Sequence, residues 1–278
     1  MIRSLRLLAV VAVASTALAL PSHARAQQPT RDPDLNADAL QPEFSLATLP
    51  TTLRVPAHKS AFRVTHRFGR PLGSGDFGDL ASDMFGLDSS AQIGLEYRYG
   101  LMSGTQIGVY RTNDRTTEFF VERSLWQQSA SRPVSVVAIA SAEGTNNFRD
   151  SYTPALGVEV SRKVGRVAAV YAMPQWVNNT NPLPAEVVDH NSTFVLGLGT
   201  RVRVLRTTYL VLEGSPRVGG YKPGVNHVAF GVEKVVGGHT FQLNFSNSVG
   251  TTPGQVARGG GSNSDWYMGF NIARKFWR

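Results

Sequence analysis

Residues Gly237–Trp277 read GGHTFQLNFSNSVGTTPGQVARGGGSNSDWYMGFNIARKFW, two alternating runs around a glycine-rich loop. In the first run Phe241, Leu243 and Phe245 point one way, and Thr240, Gln242, Asn244 and Ser246 the other. In the second, Trp266, Met268, Phe270 and Ile272 alternate with Tyr267, Gly269, Asn271 and Ala273. Side chains on a strand change face at every residue, so each run carries one apolar face and one more polar face. The chain then closes on Phe276-Trp277. An alternating strand that ends on aromatics is how the strands of an outer-membrane β-barrel read.

The same period of two recurs upstream. It predicts strands over 60–69, 90–99, 104–112, 115–126, 133–143, 152–163, 166–176, 192–204, 207–216, 226–236, 239–248 and 265–277. The links between them alternate in length. From the fifth onward, longer links (144–151, 177–191, 217–225, 249–264) take turns with tight ones (164–165, 205–206, 237–238). The long first link, 70–89, and the short second, 101–103, obey the same rule, whereas the third, Asn113-Asp114, is too short and the fourth, 127–132, too long. Long loops at one end and short turns at the other, with both termini at the short end, imply an even strand number. The expected fold is all-β: a transmembrane antiparallel up-and-down barrel of about twelve strands.

Several strands sort cleanly into faces. Ile93, Leu95 and Tyr97 oppose Glu96 and Arg98; Leu156, Val158 and Val160 oppose Glu159; Phe62 and Val64 oppose Arg63 and Arg67. The polar faces put Arg63, Arg67, Glu96, Arg98, Glu118, Glu122, Glu159, Arg201, Arg203, Glu213, Glu233, Gln242, Asn244 and Ser246 forward as lumen-lining candidates. Strands 133–143 and 166–176 are apolar on both faces, so patterning leaves their orientation open. A soluble sandwich would alternate too, burying the face a barrel turns to lipid. Runs of about 10–12 residues, against about 5–6 in soluble sheets, favour the barrel.

Composition agrees. With 278 residues the chain can form one large all-β domain, and 42% hydrophobic content suits a barrel in which every second residue faces lipid. The absence of cysteine excludes disulfides and thiolate metal sites. The formal charge is +8, of which Arg3, Arg6 and Arg25 precede an expected cleavage site. The remaining charge is dispersed, and no nucleic acid is expected as a partner. Basic residues at 1–6, an apolar run from Leu7 to Leu20 and Ala24-Arg25-Ala26 read as a signal peptide over 1–26. No cysteine follows that could carry a lipid anchor. Residues 27–57, polar and proline-containing, read as a periplasmic linker, which leaves 58–278 for the barrel. The expected location is the outer membrane of a Gram-negative bacterium. The expected partners are outer-membrane lipids and, during biogenesis, the barrel assembly machinery, and the oligomeric state stays open.

Phrases along the chain resemble domain of unknown function 5777, a family of outer-membrane β-barrels of Gram-negative bacteria. They include His66-Arg67-Phe68-Gly69, Phe85-Gly86-Leu87-Asp88, Gly94-Leu95-Glu96-Tyr97, Pro133-Val134-Ser135, Ser161-Arg162-Lys163 and Phe230-Gly231-Val232-Glu233-Lys234. The longest runs from Gly238 to Ser248 and is followed by Thr251-Thr252-Pro253-Gly254-Gln255. The resemblance spans about residues 58–277. It implies fold and location, and no catalytic residue follows from it. Arg278, after the terminal aromatic, departs from the usual barrel ending.

Candidates for chemistry are few. His66, His227 and His239 lie on strands, but a metal site needs about three or four converging ligands, and a single hydrogen bond per histidine is the simpler reading. His239 and Ser246 are about 23 Å apart along one strand and cannot form a catalytic pair. Gly259-Gly260-Gly261 after Arg258 lacks the following Gly-Lys-Ser/Thr of a phosphate loop. No cofactor, metal or catalytic residue is expected. Mixed charge on the lumenal face favours cross-strand pairing over a single-sign transport lining. The apolar Leu80, Met84, Phe85 and Leu87 suggest that loop 70–89, loop 249–264, or both, fold inward. Two functions follow: a narrow or loop-occluded pore for small solutes, or a filled barrel with a structural or partner-binding role. A lipid-modifying enzyme is a third, weaker reading.

Overall fold

The computed structural model describes residues 39–181 and 191–277. The expected signal peptide, the first part of the expected linker, residues 182–190 and Arg278 lie outside the described residues.

One antiparallel sheet closes on itself. Its strands are β1 (Ser60–Phe68), β2 (Ala91–Met102), β3 (Thr105–Thr112), β4 (Thr117–Trp126), β5 (Ser135–Gly144), β6 (Tyr152–Val164) and β7 (Ala168–Asn178). They continue as β8 (Ser192–Leu205), β9 (Thr208–Ser215), β10 (Arg217–Gly220), β11 (His227–Val236), β12 (His239–Ser246) and β13 (Tyr267–Lys275). β9 and β10 are two segments of one strand, interrupted at Pro216, whose ring denies the ladder an N–H; both pair with β8. The barrel therefore has twelve strands, as the period of two predicts. Closure comes from β1, which pairs with β2 on one side and with β13 on the other, from Ala61↔Lys275 to Arg67↔Gly269. A closed sheet has no edge, so every strand's backbone polar groups meet a partner.

The two faces separate as the alternation requires. On β12, Phe241 and Leu243 are exposed, while Thr240, Gln242, Asn244 and Ser246 are buried inside. The structure also orients the two ambiguous strands. β5 turns Val137, Ile139 and Glu143 inward, and β7 turns Ala169, Tyr171, Met173 and Val177 inward. Outward on β5 lie the small side chains of Ala138, Ala140 and Ala142.

The described part of the 27–57 stretch, residues 39–57, departs from the linker expectation. Residues 39–57 run inside the barrel, where Leu40, Phe44, Leu46, Ala47, Leu49, Leu53 and Val55 are all buried. The segment enters at the short-turn end, reverses at 46–49, where Leu46 N–H donates to the Leu49 carbonyl, and returns to β1. Leu40, Leu46 and Leu49 pack on Ile139, Tyr171, Met173 and Val211, so the apolar inner faces of β5 and β7 are the seat of this hairpin. Gly197 and Gly199 on β8 leave room for Leu49 and Leu46; a Cβ at either position would collide with those side chains.

The two long loops behave differently. Loop 69–90 forms α1 (Phe77–Ser82) and a 3-10 turn at Met84–Gly86, with Phe77, Met84, Phe85 and Leu87 exposed. Its Gly86 rests on Phe68, on the outward face of β1, so the inward expectation fails for this loop. Loop 247–266 does turn inward, carrying α2 (Pro253–Arg258) into the barrel mouth with Gly254 and Ala257 buried. Thr252 caps this helix and Pro253 opens it, a start that the Thr-Pro-Gly-Gln phrase encodes.

Leu243, 48% exposed at the middle of β12, tests the lipid-facing assignment. Leu243→Arg should lower stability by about 2–4 kcal/mol in urea unfolding from phospholipid vesicles. An unchanged transition would mean that this face does not meet lipid.

The occluded lumen as the candidate functional site

The lumen holds three groups of buried charge, each arranged around the hairpin or below the mouth. In the first, Arg63 on β1 meets Glu96 on β2 at 2.6 Å, and Arg98 bridges Glu96 to Glu122 on β4, the latter at 2.8 Å. Gln106 on β3 donates to Glu122 and accepts from the Val55 N–H of the returning hairpin at 2.7 Å. Phe44 lies beneath the Arg98 guanidinium, 5.2 Å from ring centre to Cζ.

The second group grips the hairpin tip. One carboxylate, Glu213 on β9, accepts from the N–H groups of Ala47 (2.9 Å), Thr48 (2.9 Å) and Leu49 (3.0 Å), and from the Thr48 hydroxyl. His227 Nε2 contacts the same carboxylate at 3.1 Å. Donors on the adjoining strands β8, β12 and β13 read the carbonyls of the same turn. Arg201 Nη2 donates to Ser45 O at 2.7 Å and to Glu233 at 3.0 Å, Gln242 Nε2 to Leu46 O at 3.1 Å, and Asn271 Nδ2 to Ala47 O at 3.0 Å. Arg67 donates to Asn271 Oδ1 at 2.9 Å, and Asn244 to Gln242 Oε1 at 3.0 Å, so the polar side of the C-terminal strands is one network under the tip. At the short-turn end Lys275 donates to the Pro42 carbonyl and to Glu43 Oε2. Burial opposes charge on the Glu43 carboxyl, yet Lys275 and the Phe44 N–H hold it below the ordinary carboxylate range.

The third group fixes the inward loop. Glu143 on β5 accepts from Gly254 N–H at 2.9 Å and from Arg258 at 3.4 Å, and Arg258 also donates to Thr153 at 3.1 Å. Tyr110 donates to Thr251 at 2.7 Å, while Ala257 packs on Ala155, Val177 and Val195. Hairpin below and α2 above border a partly open cavity of about 60 Å³, lined in part by Thr48, Arg63, Glu118, Met173 and Val256. That volume is room for a few water molecules.

Among the fourteen candidates, all but Arg203 are buried inside the barrel. Arg203 lies at the short-turn mouth, donating to the Arg206 carbonyl. Glu159 is fully buried, and neither of its carboxylate oxygens has a hydrogen-bond partner among the described residues. Ser246 donates to the Ser248 carbonyl at 2.6 Å, and His239 stands at the other end of β12 beside Arg274, so the two are far apart. The sequence reading missed the hairpin itself, together with its anchors His227, Asn271 and Lys275. Its signal was the recurrence of Leu40, Phe44, Leu46, Leu49, Leu53 and Val55 in a stretch otherwise polar enough to pass as a linker.

The matched family begins inside that hairpin. Residues 43–276 match the membrane bound beta barrel domain DUF5777. The chain belongs to this family. Because the match starts at Glu43, most of the hairpin is part of the domain. No curated protein matches the sequence. Among solved structures, the chain resembles the NanC porin (7% identity, TM-score 0.51, covering 78% of this chain and 98% of that one). It also resembles the COG4313 outer membrane channel from Pseudomonas putida F1 (11% identity, TM-score 0.51, covering 81% and 98%). A third likeness is to the KdgM porin in complex with disordered oligogalacturonate (8% identity, TM-score 0.48, covering 78% and 99%). At these identities the likeness is one of fold.

Removing the Glu213 carboxylate strands the buried N–H groups of the tip. Glu213→Ala should destabilise the protein by about 3–5 kcal/mol. It should also open residues 39–57 to limited proteolysis while the strands stay resistant. Cleavage unchanged from the parent would mean that the tip is held by its leucines alone.

Proposed function

We propose that this protein is a small outer-membrane channel held shut by its own N-terminal hairpin, and that solutes pass only when residues 39–57 leave the lumen. The supporting observation is the hairpin's position: a separate, non-strand segment fills the bore, while the wall of twelve strands closes without it. Its tip is held largely through backbone groups by side chains of the wall, contacts that water can replace when the segment withdraws. The exposed apolar band, the signal peptide expected at 1–26 and the aromatic C-terminus support placement in the outer membrane of a Gram-negative bacterium. Two of the similar folds are a porin and an outer membrane channel, which is consistent with a conducting role.

A second reading has its own observation. Ile139, Tyr171, Met173 and Val211 make part of the lumen wall apolar beneath the hairpin, which suits a barrel that stays filled and serves a structural or partner-binding role.

Planar-bilayer conductance separates them. The intact protein should show little or no conductance, whereas deletion of residues 39–57 should give discrete open-channel events of about 10-fold or greater conductance above the leak, since barrels of this size lie between filled and channel-forming widths. A folded deletion variant that stays silent would leave the filled barrel as the better account.

A further inference from the structure

The outer wall carries a feature that neither the lumen nor ordinary lipid contact explains. Across β2–β5 the lipid-facing surface is hollowed into a groove of about 590 Å³, lined by Tyr97, Ile107, Val109, Phe119, Val121 and Ala140 among others. Its depth comes from size contrast. In mid-strand β5 presents the small Ala138, Ala140 and Ala142 outward, beside the larger Phe119 and Val121 of β4, with which Ala142 and Ala140 pair. The volume falls within the range of about 300–1,000 Å³ typical of small-molecule sites, and its walls are almost wholly apolar.

The long-loop end of this groove is basic. Arg111 is the next outward residue of β3 after Val109, about 7 Å further along the strand. Val109 itself pairs with Phe119. Arg115 stands in the adjoining turn, and Arg149 in the loop between β5 and β6; all three arginines are exposed. The turn and the loop are tied together, with Asn147 N–H donating to Arg115 O at 2.8 Å and Arg111 donating to Asn147 Oδ1 at 2.9 Å. The acids nearby are engaged elsewhere. Asp114 accepts from Thr112, Thr116 and Gln255, and Asp150 from Asn146. Asn146, Asn147 and Phe148 are consecutive residues in the left-handed region, with φ of 47°, 59° and 61°. Such a run costs roughly 1–3 kcal/mol per residue and persists only where surrounding contacts hold it. Here it seats Phe148 against Phe119 (5.6 Å between ring centres) and Tyr152 (5.7 Å), so an aromatic shelf joins the arginines to the groove.

We infer that this groove and its arginine rim form a binding site for a phosphorylated lipid of the leaflet on the long-loop side. An acyl chain would lie over Ala140 and a phosphate among Arg111, Arg115 and Arg149. An apolar trough with three exposed arginines beyond its long-loop end matches an amphiphile with an anionic head; a hydrocarbon chain alone would have no use for the rim, nor an ion for the trough. The site is independent of whether the lumen opens.

Native mass spectrometry of the full chain in detergent tests this, with bisphosphorylated hexa-acyl lipid A as the probe and phosphatidylcholine as the zwitterionic control. One lipid A should bind in preference to phosphatidylcholine. The triple variant R111Q/R115Q/R149Q should weaken that binding about a hundred-fold, from roughly a factor of five per basic residue at an anionic lipid surface. Ala140→Trp, which fills the trough and leaves the rim intact, should weaken it as well. Millimolar inorganic phosphate should not compete. Binding unchanged in the triple variant would overturn the site, as would displacement by phosphate alone. A dimer of the chain that Ala140→Trp dissolves would overturn it too, because the groove would then belong to a second copy. The triple variant changes only exposed side chains, and its heat-modifiable gel mobility reports that it has folded.

Discussion

The β1–β13 ladder is the interaction on which the rest of this structure depends. Pairing the first strand with the last removes both edges of the sheet and satisfies the backbone where no water could. It has a second effect. Once the sheet is closed, every alternate side chain of twelve strands points into one confined space, and polar groups placed there must find partners or remain hydrated.

The chain meets that demand by supplying the filling itself. The hairpin at 39–57 brings leucines to the apolar stripe of β5 and β7, and brings backbone N–H and C=O groups to the charged stripe of β8–β13. Glu213 illustrates the economy of the arrangement: a buried carboxylate would be costly alone, but three backbone N–H groups, a hydroxyl and an imidazole surround it. From above, Glu143 does the same for the first turn of α2. Side-chain charge in this lumen thus recognises the chain's own backbone as much as it pairs with opposite charge across strands.

That arrangement explains which features were readable in advance. Strand positions were legible because lipid outside and polar contacts inside impose opposite chemistry on successive residues. The runs at 90–99, 192–204 and 226–236 could hardly be anything else. The candidates from Arg63 to Ser246 were legible as an inward face for the same reason, Arg203 lying too near a turn to be enclosed. The inner faces of β5 and β7 were not, because period-two reading presumes a polar lumen, and here the hairpin makes part of it apolar. Loop 70–89 misled in the opposite sense: its apolar Leu80, Met84, Phe85 and Leu87 suggested that it, loop 249–264 or both fold inward, but only the second does, and the first leans on the outer side of β1.

By itself, the sequence determined about twelve strands with one apolar and one polar face, since a strand's faces are set by local alternation, and their length and the alternation of their links favoured a barrel over a sandwich. The occlusion was decided by tertiary structure. Residues 39–57 are short of strand periodicity and sit next to a polar leader, so nothing local distinguishes a plug from a linker. Only the complementarity of Leu46 and Leu49 to Gly199 and Gly197, and of the hairpin tip to Glu213, holds the segment in the bore. Those contacts join residues more than a hundred positions apart. They exist because closing the sheet brings β8, β9 and the N-terminal segment around a common axis.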